Sequence, residues 1–474
     1  MSLSVIDMVK GMFSTSTFPY KKVMIFFTLC DFAFETYIAL RQYKVLQNKD
    51  KKLPHVLKGK IDEQKFKDSD NYGIAKAKFN FVSNTYDLFL TLYNLAANIQ
   101  PKIWNYSILI SSIVYSSIFQ KSSSTFPQFS LLTQNILFFN FSVIFTNLLS
   151  LPVSYVQHFV LEEKFGFNKT TLKTWIMDTI KSNALIVLLG SPILYLLGWL
   201  LDKFSDNRNF VLYIWLFCLA LQITMFLLSS TVIEPLFNKF TPLEEGELKT
   251  KIEDLAKECG FPLSDIFVID GSKRSSHSNA YFSGLPFLKK RIVLFDTLIK
   301  DSSVDEVVAV LAHEIGHWKM NHTTKMLAIS QIHFALFFKL FASTYKNFYL
   351  FKDLGFVVDP TQSQISHTGD VAVVQNFPFF VGLMLFGYLM KPTDSIHNFL
   401  FNLYSRHNEY EADEFAVKLG KGETLCDSLI SLHVSNLSTV SVDPLFSKYH
   451  YTHPTLPERL GALENKITEQ KKKN

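Results

Sequence analysis

Cysteine is nearly absent from this chain. Only Cys30, Cys218, Cys259 and Cys426 occur in 474 residues, scattered without metal-ligand spacing, and two of them fall in apolar runs. That excludes a disulfide framework and a zinc ribbon. Charge is also scarce, at 19% of residues, and the net charge of +5 gathers at the flanks of apolar segments. Nothing in that balance calls for a nucleic-acid partner. There is no Walker motif and no internal repeat, which removes phosphate-loop nucleotide hydrolases and solenoids from consideration. No cleavable leader is apparent, because the first apolar run follows mixed residues and precedes a charged loop without a small-residue cleavage site. The first apolar segment is therefore expected to remain in the membrane.

What the chain does have is apolar and aromatic mass: 48% hydrophobic residues, 46 of them Phe. This is too apolar for an ordinary soluble enzyme and reads as a mainly α, polytopic membrane protein. Residues 184–201, 211–232 and 371–390 carry no charge over a spanning length, and 131–157 forms a fourth span interrupted near Pro152. Two less pure spans are 23–40, with Asp31 and Glu35, and 326–345, with His333 and Lys339. The region 84–119, divided by Pro101 and Lys102, counts once, giving about seven. Lysine is rich between Arg41 and Lys78 and over 159–181, and poorer over 120–130 and 202–210. Basic short loops stay cytosolic, which places 232–325 and everything after about 391 in the cytosol. The expected organisation is five spans over 1–231, a cytosolic catalytic segment over 232–325, two spans over 326–391 and a cytosolic segment over 392–474. The polar Asp31, Glu35, Asp87, Asn98, Asn140, Asn147, Gln331 and His333 lie in or beside spans. They imply either a hydrated interior or interhelical hydrogen bonds.

One short motif carries the chemistry. His313-Glu314-Ile315-Gly316-His317 puts two imidazoles one helical turn apart with a carboxylate between them, the spacing used to hold a catalytic zinc. Ser303 and Glu306 read as a capping box, and Val307, Val308, Leu311 and Ile315 follow at helical spacing, so the motif lies on a helix. If that helix ran unbroken from Ser303 to about residue 343, it would be roughly 60 Å long at ~1.5 Å per residue. The metal would then stand on the stem of a membrane helix. Glu314 is the expected base, taking a proton from the attacking water and returning it to the leaving amine.

The metzincin continuation needs Gly at 320 and His at 323, and the chain has Met320 and Thr323. The third ligand therefore comes from elsewhere. Asn408-Glu409-Tyr410-Glu411-Ala412-Asp413 supplies it, with Glu409 as ligand and Asp413, one turn on, accepting the other ring proton of a ligand histidine. Glu411 is the alternative. Between Glu314 and Glu409 lie two expected spans, which returns all three ligands to one face.

Ahead of the motif, Thr241-Pro242-Leu243-Glu244 reads as a helix start and Gly260 as its end, followed by short β-rich runs at 266–270, 278–283 and 291–295. This is a small α+β unit. Asn279-Ala280-Tyr281-Phe282 is similar to the edge strand that precedes the zinc helix in thermolysin-like peptidases, so Asn279 and Ala280 are expected to pair with an extended substrate. His453 in Thr452-His453-Pro454 is the expected stabiliser of the oxyanion, with His450 as alternative.

These motifs in order, with Ser272 to Phe282, Phe159 to Lys169 and Thr-His-Pro near the C-terminus, resemble the type I CAAX prenyl protease family over most of the chain. The resemblance implies an integral endoplasmic reticulum and inner nuclear membrane zinc endopeptidase of gluzincin type, with one zinc per chain and its site facing the cytosol. Such enzymes remove the last three residues of prenylated C-terminal Cys-a-a-X proteins, and fungal members also cut a farnesylated pheromone precursor upstream. It further implies seven helices around a water-filled chamber, His313, His317 and Glu409 as ligands, Glu314 as base, His453 at the oxyanion and Asn279 on the substrate. Phe165 departs from the His of relatives. Lys472 and Lys471 near the end resemble a dilysine retrieval signal. The alternative reading is a general quality-control protease of membrane proteins with the same zinc site.

Overall fold

The computed structural model describes residues 18–118, 129–205, 207, 209–284, 289–361 and 370–473. Long helices dominate. In chain order they are α1 (Tyr20–Gln47), α2 (Glu63–Ala96), α3 (Ile99–Ile118), α4 (Leu131–Val156), α5 (Leu172–Phe204) and α6 (Phe210–Leu228). Both α4 and α6 run on through π turns, at Gln157–Glu162 and Ser229–Ile233.

Five helices among the described residues are long and apolar enough to cross a membrane: Tyr20–Gln47, Leu131–Glu162, Leu172–Phe204, Phe210–Phe237 and His322–Thr344. Their flanks leave large apolar side chains uncovered, Leu188, Leu196, Leu216 and Leu336 among them, as lipid-facing helices do. The expected span at 84–119 is instead two helices, broken at Ala97 and Asn98, where Asn98 takes φ +50°. That at 371–390 begins in a short strand, Ala372–Val374, and turns helical only at Phe379. Hydrophobicity alone does not mark these changes of backbone direction. Pro152, by contrast, lies inside a continuous helix, a common tolerance in a membrane helix, where neighbouring groups re-satisfy the freed carbonyl.

After α6 the chain builds a four-stranded sheet in the order β1-β2-β4-β3, from β1 (Phe240–Pro242), β2 (Leu263–Ile269), β3 (Ala280–Ser283) and β4 (Lys290–Phe295). β2 and β4 are parallel, and the outer strands are antiparallel to them. Thr241 and Pro242 are not a helix start: they pair with Val268 and Phe267, and α7 (Glu247–Cys259) begins only after Gly246. A proline on an edge strand costs no ladder bond that the sheet needs. Gly260, at φ +67°, ends α7 as expected. β3 is the opposite edge.

The remaining helices are α8 (Asp296–Asp301), α9 (Val304–Lys319), α10 (His322–Thr344), α11 (Phe348–Asp353), α12 (Phe379–Lys418), α13 (Gly422–Ser435), α14 (Pro444–His450) and α15 (Leu456–Lys473). The capping box forms, with Ser303 N donating to Glu306 Oε2 at 2.7 Å and Glu306 N to Ser303 Oγ at 3.3 Å. α9 does not continue into the membrane: it stops at Lys319, and Asn321 at φ +57° redirects the chain into α10. The unbroken helix of roughly 60 Å is found elsewhere, in the 40 residues of α12. An apolar core of Val307, Leu311, Ile315, Leu294, Leu425 and Leu460 joins sheet, α9, α12, α13 and α15.

Most polar residues flagged in the spans have partners on other segments. Asp31 meets Lys391 and Ser395, Glu35 meets His450, Asn140 meets Ser191, Asn147 meets Asn183, and Gln331 meets Gln222. Interhelical pairing accounts for these.

Candidate metal centre

α9 and α12 cross where both lack side-chain bulk. A Cβ built on Gly316 would stand 3.1 Å from Ala412 Cα and 3.2 Å from the Ala412 carbonyl oxygen. The contact brings the Glu409 carboxylate over the two imidazoles of α9. His313 Nε2 and His317 Nε2 are 3.1 Å apart, and lie 3.4 and 3.2 Å from the Glu409 oxygens. These three residues form a group whose ligand atoms lie within 4.8 Å of one another and can hold a metal ion. Glu411 does not join them; it pairs with His322 at 2.9 Å and with His407 at 3.6 Å.

The donor set fits a tetrahedral ion. Two ring nitrogens facing each other at 3.1 Å repel unless a proton or cation lies between them. A zinc-sized ion with bonds of ~2.0–2.1 Å separates two tetrahedral nitrogen ligands by roughly 3.3 Å. Glu409 Oε2, fully buried, accepts no hydrogen bond of good geometry, so it retains acceptor capacity beside the two imidazoles.

Outer residues hold these three side chains in place. Asp413 Oδ1 lies 2.8 Å from His313 Nδ1, fixing which nitrogen of His313 faces Glu409. Arg459 of α15 grips Asp413 with two hydrogen bonds, 2.9 and 2.6 Å, and reaches Glu409 Oε2 at 3.5 Å. On the other imidazole, His317 Nδ1 is 2.9 Å from His322 Nδ1, and His322 Nε2 is 2.9 Å from Glu411 Oε2. Sequence reasoning missed Arg459 and His322. An arginine in a C-terminal amphipathic helix looks like a solvated charge, and only tertiary packing buries it. His322 had a local signal, five residues beyond His317, but the turn at Asn321 that swings it back is not legible in spacing.

Burial and Arg459 both disfavour charge on His313, yet Asp413 and Glu409 outweigh them and hold its imidazole up at about 9 without metal. Burial opposes charge on Glu409 too, but His313, His317 and His453 push its carboxyl far below the usual range. The pocket thus prefers net positive occupancy beside Glu409.

His453 is mostly exposed, with Nδ1 2.7 Å from Glu409 Oε2 and its carbonyl held by Arg406 at 2.9 Å. His450 points away, to Glu35 at 3.3 Å. Glu314, His317 and His453 line one cavity of about 590 Å³ with Tyr281 and Phe282 of β3. α6 and α10 contribute the apolar Ile223, Phe226, Leu327 and Phe334 to its lining, beside the polar Gln222 and Ser330. Asn279 is exposed just ahead of β3, its Oδ1 accepting from Ala280 N at 2.8 Å, while the Ala280 side chain is buried. Neither lines this cavity.

Comparison with known proteins agrees with this architecture. Residues 42–239 match the family described as CAAX prenyl protease N-terminal, five membrane helices, and residues 242–467 match peptidase family M48. CAAX prenyl protease 1 of Saccharomyces cerevisiae is 46% identical over 96% of this chain and 97% of its own. The Homo sapiens CAAX prenyl protease 1 homolog is 35% identical over 93% and 94%. The crystal structure of S. mikatae Ste24p superposes with a TM-score of 0.84 at 46% identity, covering 94% of this chain and 99% of that one. With both halves matched and a His/His/Glu group that can hold a metal ion brought together where two helices cross, the chain belongs to the CAAX prenyl protease family of M48 metallopeptidases.

Proposed function

We propose that the chain is a zinc metalloendopeptidase that removes the aaX tripeptide from prenylated Cys-a-a-X proteins. The observation that carries this reading is the cavity of about 590 Å³, lined both by Glu314, His317 and His453 and by apolar side chains of the membrane helices α6 and α10. A prenylated cysteine needs both environments within one residue's reach: a hydrolytic centre for its carbonyl and an apolar slot for its lipid. His313, His317 and Glu409 would hold the zinc, which when bound supplies a Lewis acid for the scissile carbonyl. Glu314 takes a proton from the attacking water and delivers it to the leaving nitrogen as the C–N bond breaks, leaving a new carboxylate on the prenylcysteine. His453 donates to the developing oxyanion. Asp413 orients His313. The exposed edge of β3, with Asn279 and Ala280 at its start, pairs with the extended substrate backbone.

The same reading places 1–231 and 326–391 in the membrane, with α3 and the first half of α12 completing seven crossings, and 232–325 and 392–474 on the cytosolic face of the endoplasmic reticulum and inner nuclear membrane. The upstream cut in a prenylated pheromone precursor is assigned to the same residues, since the described residues contain one such ligand group.

The test is cleavage of a farnesylated Cys-a-a-X peptide and its unfarnesylated twin by the purified full chain, with and without chelator, beside Glu314→Gln. Tripeptide release that favours the farnesylated peptide and is lost with chelator or in the variant is expected. Equal cleavage of the two peptides would point to a general membrane quality-control protease, and no cleavage of either would defeat the peptidase reading.

A further inference from the structure

A second cavity, of about 680 Å³, meets the first at His453, which lines both. Its walls mix apolar and polar side chains, the polar ones including Tyr72, Lys76 and Asn80 from α2, His277 just ahead of β3, and Asn436 after α13. A third cavity, about 640 Å³, shares Tyr72, Lys76 and His277. The first cavity touches β3 at Tyr281 and Phe282 and the chain just past it at Gly284, whereas the other two touch the chain ahead of β3, at His277.

Phe226, Leu327 and Phe334 of the membrane helices line the first of these three cavities and not the other two, whereas Lys76 lines the other two and not the first, and that difference gives a substrate strand its direction. The lipid-bearing cysteine precedes the scissile bond and belongs at the apolar end. The three residues that leave then run toward His277, antiparallel to β3. Fully extended, they reach about 10 Å at ~3.3 Å each, which carries their free carboxylate past His453 toward the second cavity. Two basic side chains other than histidine line the second and third cavities. Arg274 is already committed, to Asp178 at 2.8 and 3.1 Å and to Asn238 at 3.1 Å. Lys76 is exposed, with its ammonium over the Tyr72 ring at 5.0 Å. The adjacent carboxylate, Glu162, accepts from the Tyr72 hydroxyl at 2.9 and 2.8 Å and faces His277 Nε2 at 3.8 Å. His277 is itself fixed by Asn436 and stacked on Phe167.

Resting on the peptidase reading above, we infer that Lys76 receives the free α-carboxylate of the departing tripeptide and so sets the distance of the aaX cut, though not of the upstream cut, from the substrate's C-terminus. Lys76 is then a specificity residue, one helical turn from Tyr72 and Asn80 on the same face of α2.

The experiment compares farnesylated Cys-a-a-X peptides ending in a free acid, in a carboxamide, or in one added residue. The wild-type chain is expected to favour the acid by about tenfold in kcat/KM, a common size for a charge-assisted contact. Lys76→Met abolishes that preference through KM rather than kcat, Lys76→Arg keeps it, and the free tripeptide acid inhibits better than its amide. Equal cleavage of acid and amide by the wild-type chain overturns the inference without needing any variant to fold, as does a preference that survives in Lys76→Met. Failure to release tripeptide from any of the peptides instead overturns the peptidase reading on which it rests.

Discussion

Arg459 holds Asp413 through two hydrogen bonds, Nε to Oδ2 at 2.9 Å and Nη2 to Oδ1 at 2.6 Å, directly behind His313. All three groups are buried. The pair therefore resembles a clamp: one charge neutralises another that would otherwise be stranded among the ligands. Removing a single partner of a buried ion pair costs about 3–5 kcal/mol, because the other charge is left behind. Arg459→Met is expected to lower the unfolding free energy by that order. Asp413→Asn, which keeps the shape, is expected to weaken metal binding about 10- to 100-fold. Chemical denaturation and competition with a chelating dye measure the two separately; Arg459→Met as stable as wild type would show that Asp413 finds another partner.

The crossing of α9 and α12 depends on Gly316. A methyl there would press on the Ala412 backbone at 3.1 and 3.2 Å and on Phe415 Cβ at 3.2 Å, and backbone atoms have little room to yield. Gly316→Ala is expected to cost about 1–3 kcal/mol by overpacking and to move Glu409 off the imidazoles. Metal content per chain should drop more than helix content. A variant with full metal occupancy and unchanged thermal stability would mean that the helices slide apart without disturbing the ligands.

How much of this was legible in the sequence depends on range. The i, i+4 spacing of His313 and His317, and of Glu409 and Asp413, is a property of helix geometry, and those side chains do meet in the structure. The capping box at Ser303 and the end of α7 at Gly260 are likewise local. What failed was connectivity. Thr241-Pro242 has the residues of a helix start but is recruited by pairing with β2, a tertiary override that no local pattern reports. The condition of an unbroken helix from Ser303 to about residue 343 is not met, because Asn321 takes a left-handed conformation that looks ordinary in sequence, and the 40-residue rod is α12 instead. Arg459 and Lys76 were invisible as individuals: one lysine among many on a basic segment gains meaning only when a cavity is folded around it.

His433 offers a pH probe outside the ligand set. It lies on α13, with Nε2 3.3 Å from the Thr439 carbonyl, and burial followed by the nearby Arg459 charge pushes its imidazole down to about 4 against that one favourable contact. The unfolded chain binds a proton near the ordinary imidazole value, so between that value and about 4 the unfolded state holds more protons. Stability from this residue is complete above the ordinary value and lost as pH falls through the window, by on the order of 1–3 kcal/mol. Melting temperature measured from pH 7 to 5 should fall less steeply for His433→Asn than for the wild-type chain. Parallel slopes would assign the acid sensitivity to other groups.

Asn321 is the hinge between the metal-site helix and the membrane. It ends α9 and starts α10 at φ +57°, ψ +33°, a region asparagine and glycine tolerate and β-branched residues do not. The turn also swings His322 back so that its Nδ1 meets His317 Nδ1 at 2.9 Å. Asn321→Gly should therefore be nearly silent. Asn321→Val should cost about 1–2 kcal/mol in the strained conformation, or relieve that strain by straightening the junction and drawing His322 away from His317. His322→Ala separates the two consequences, since it removes the ring contact but leaves the turn. If Asn321→Val and His322→Ala weaken metal binding equally while only the former loses stability, the turn matters to the site through His322. If Asn321→Val spares metal binding, the break serves only to aim α10 into the membrane.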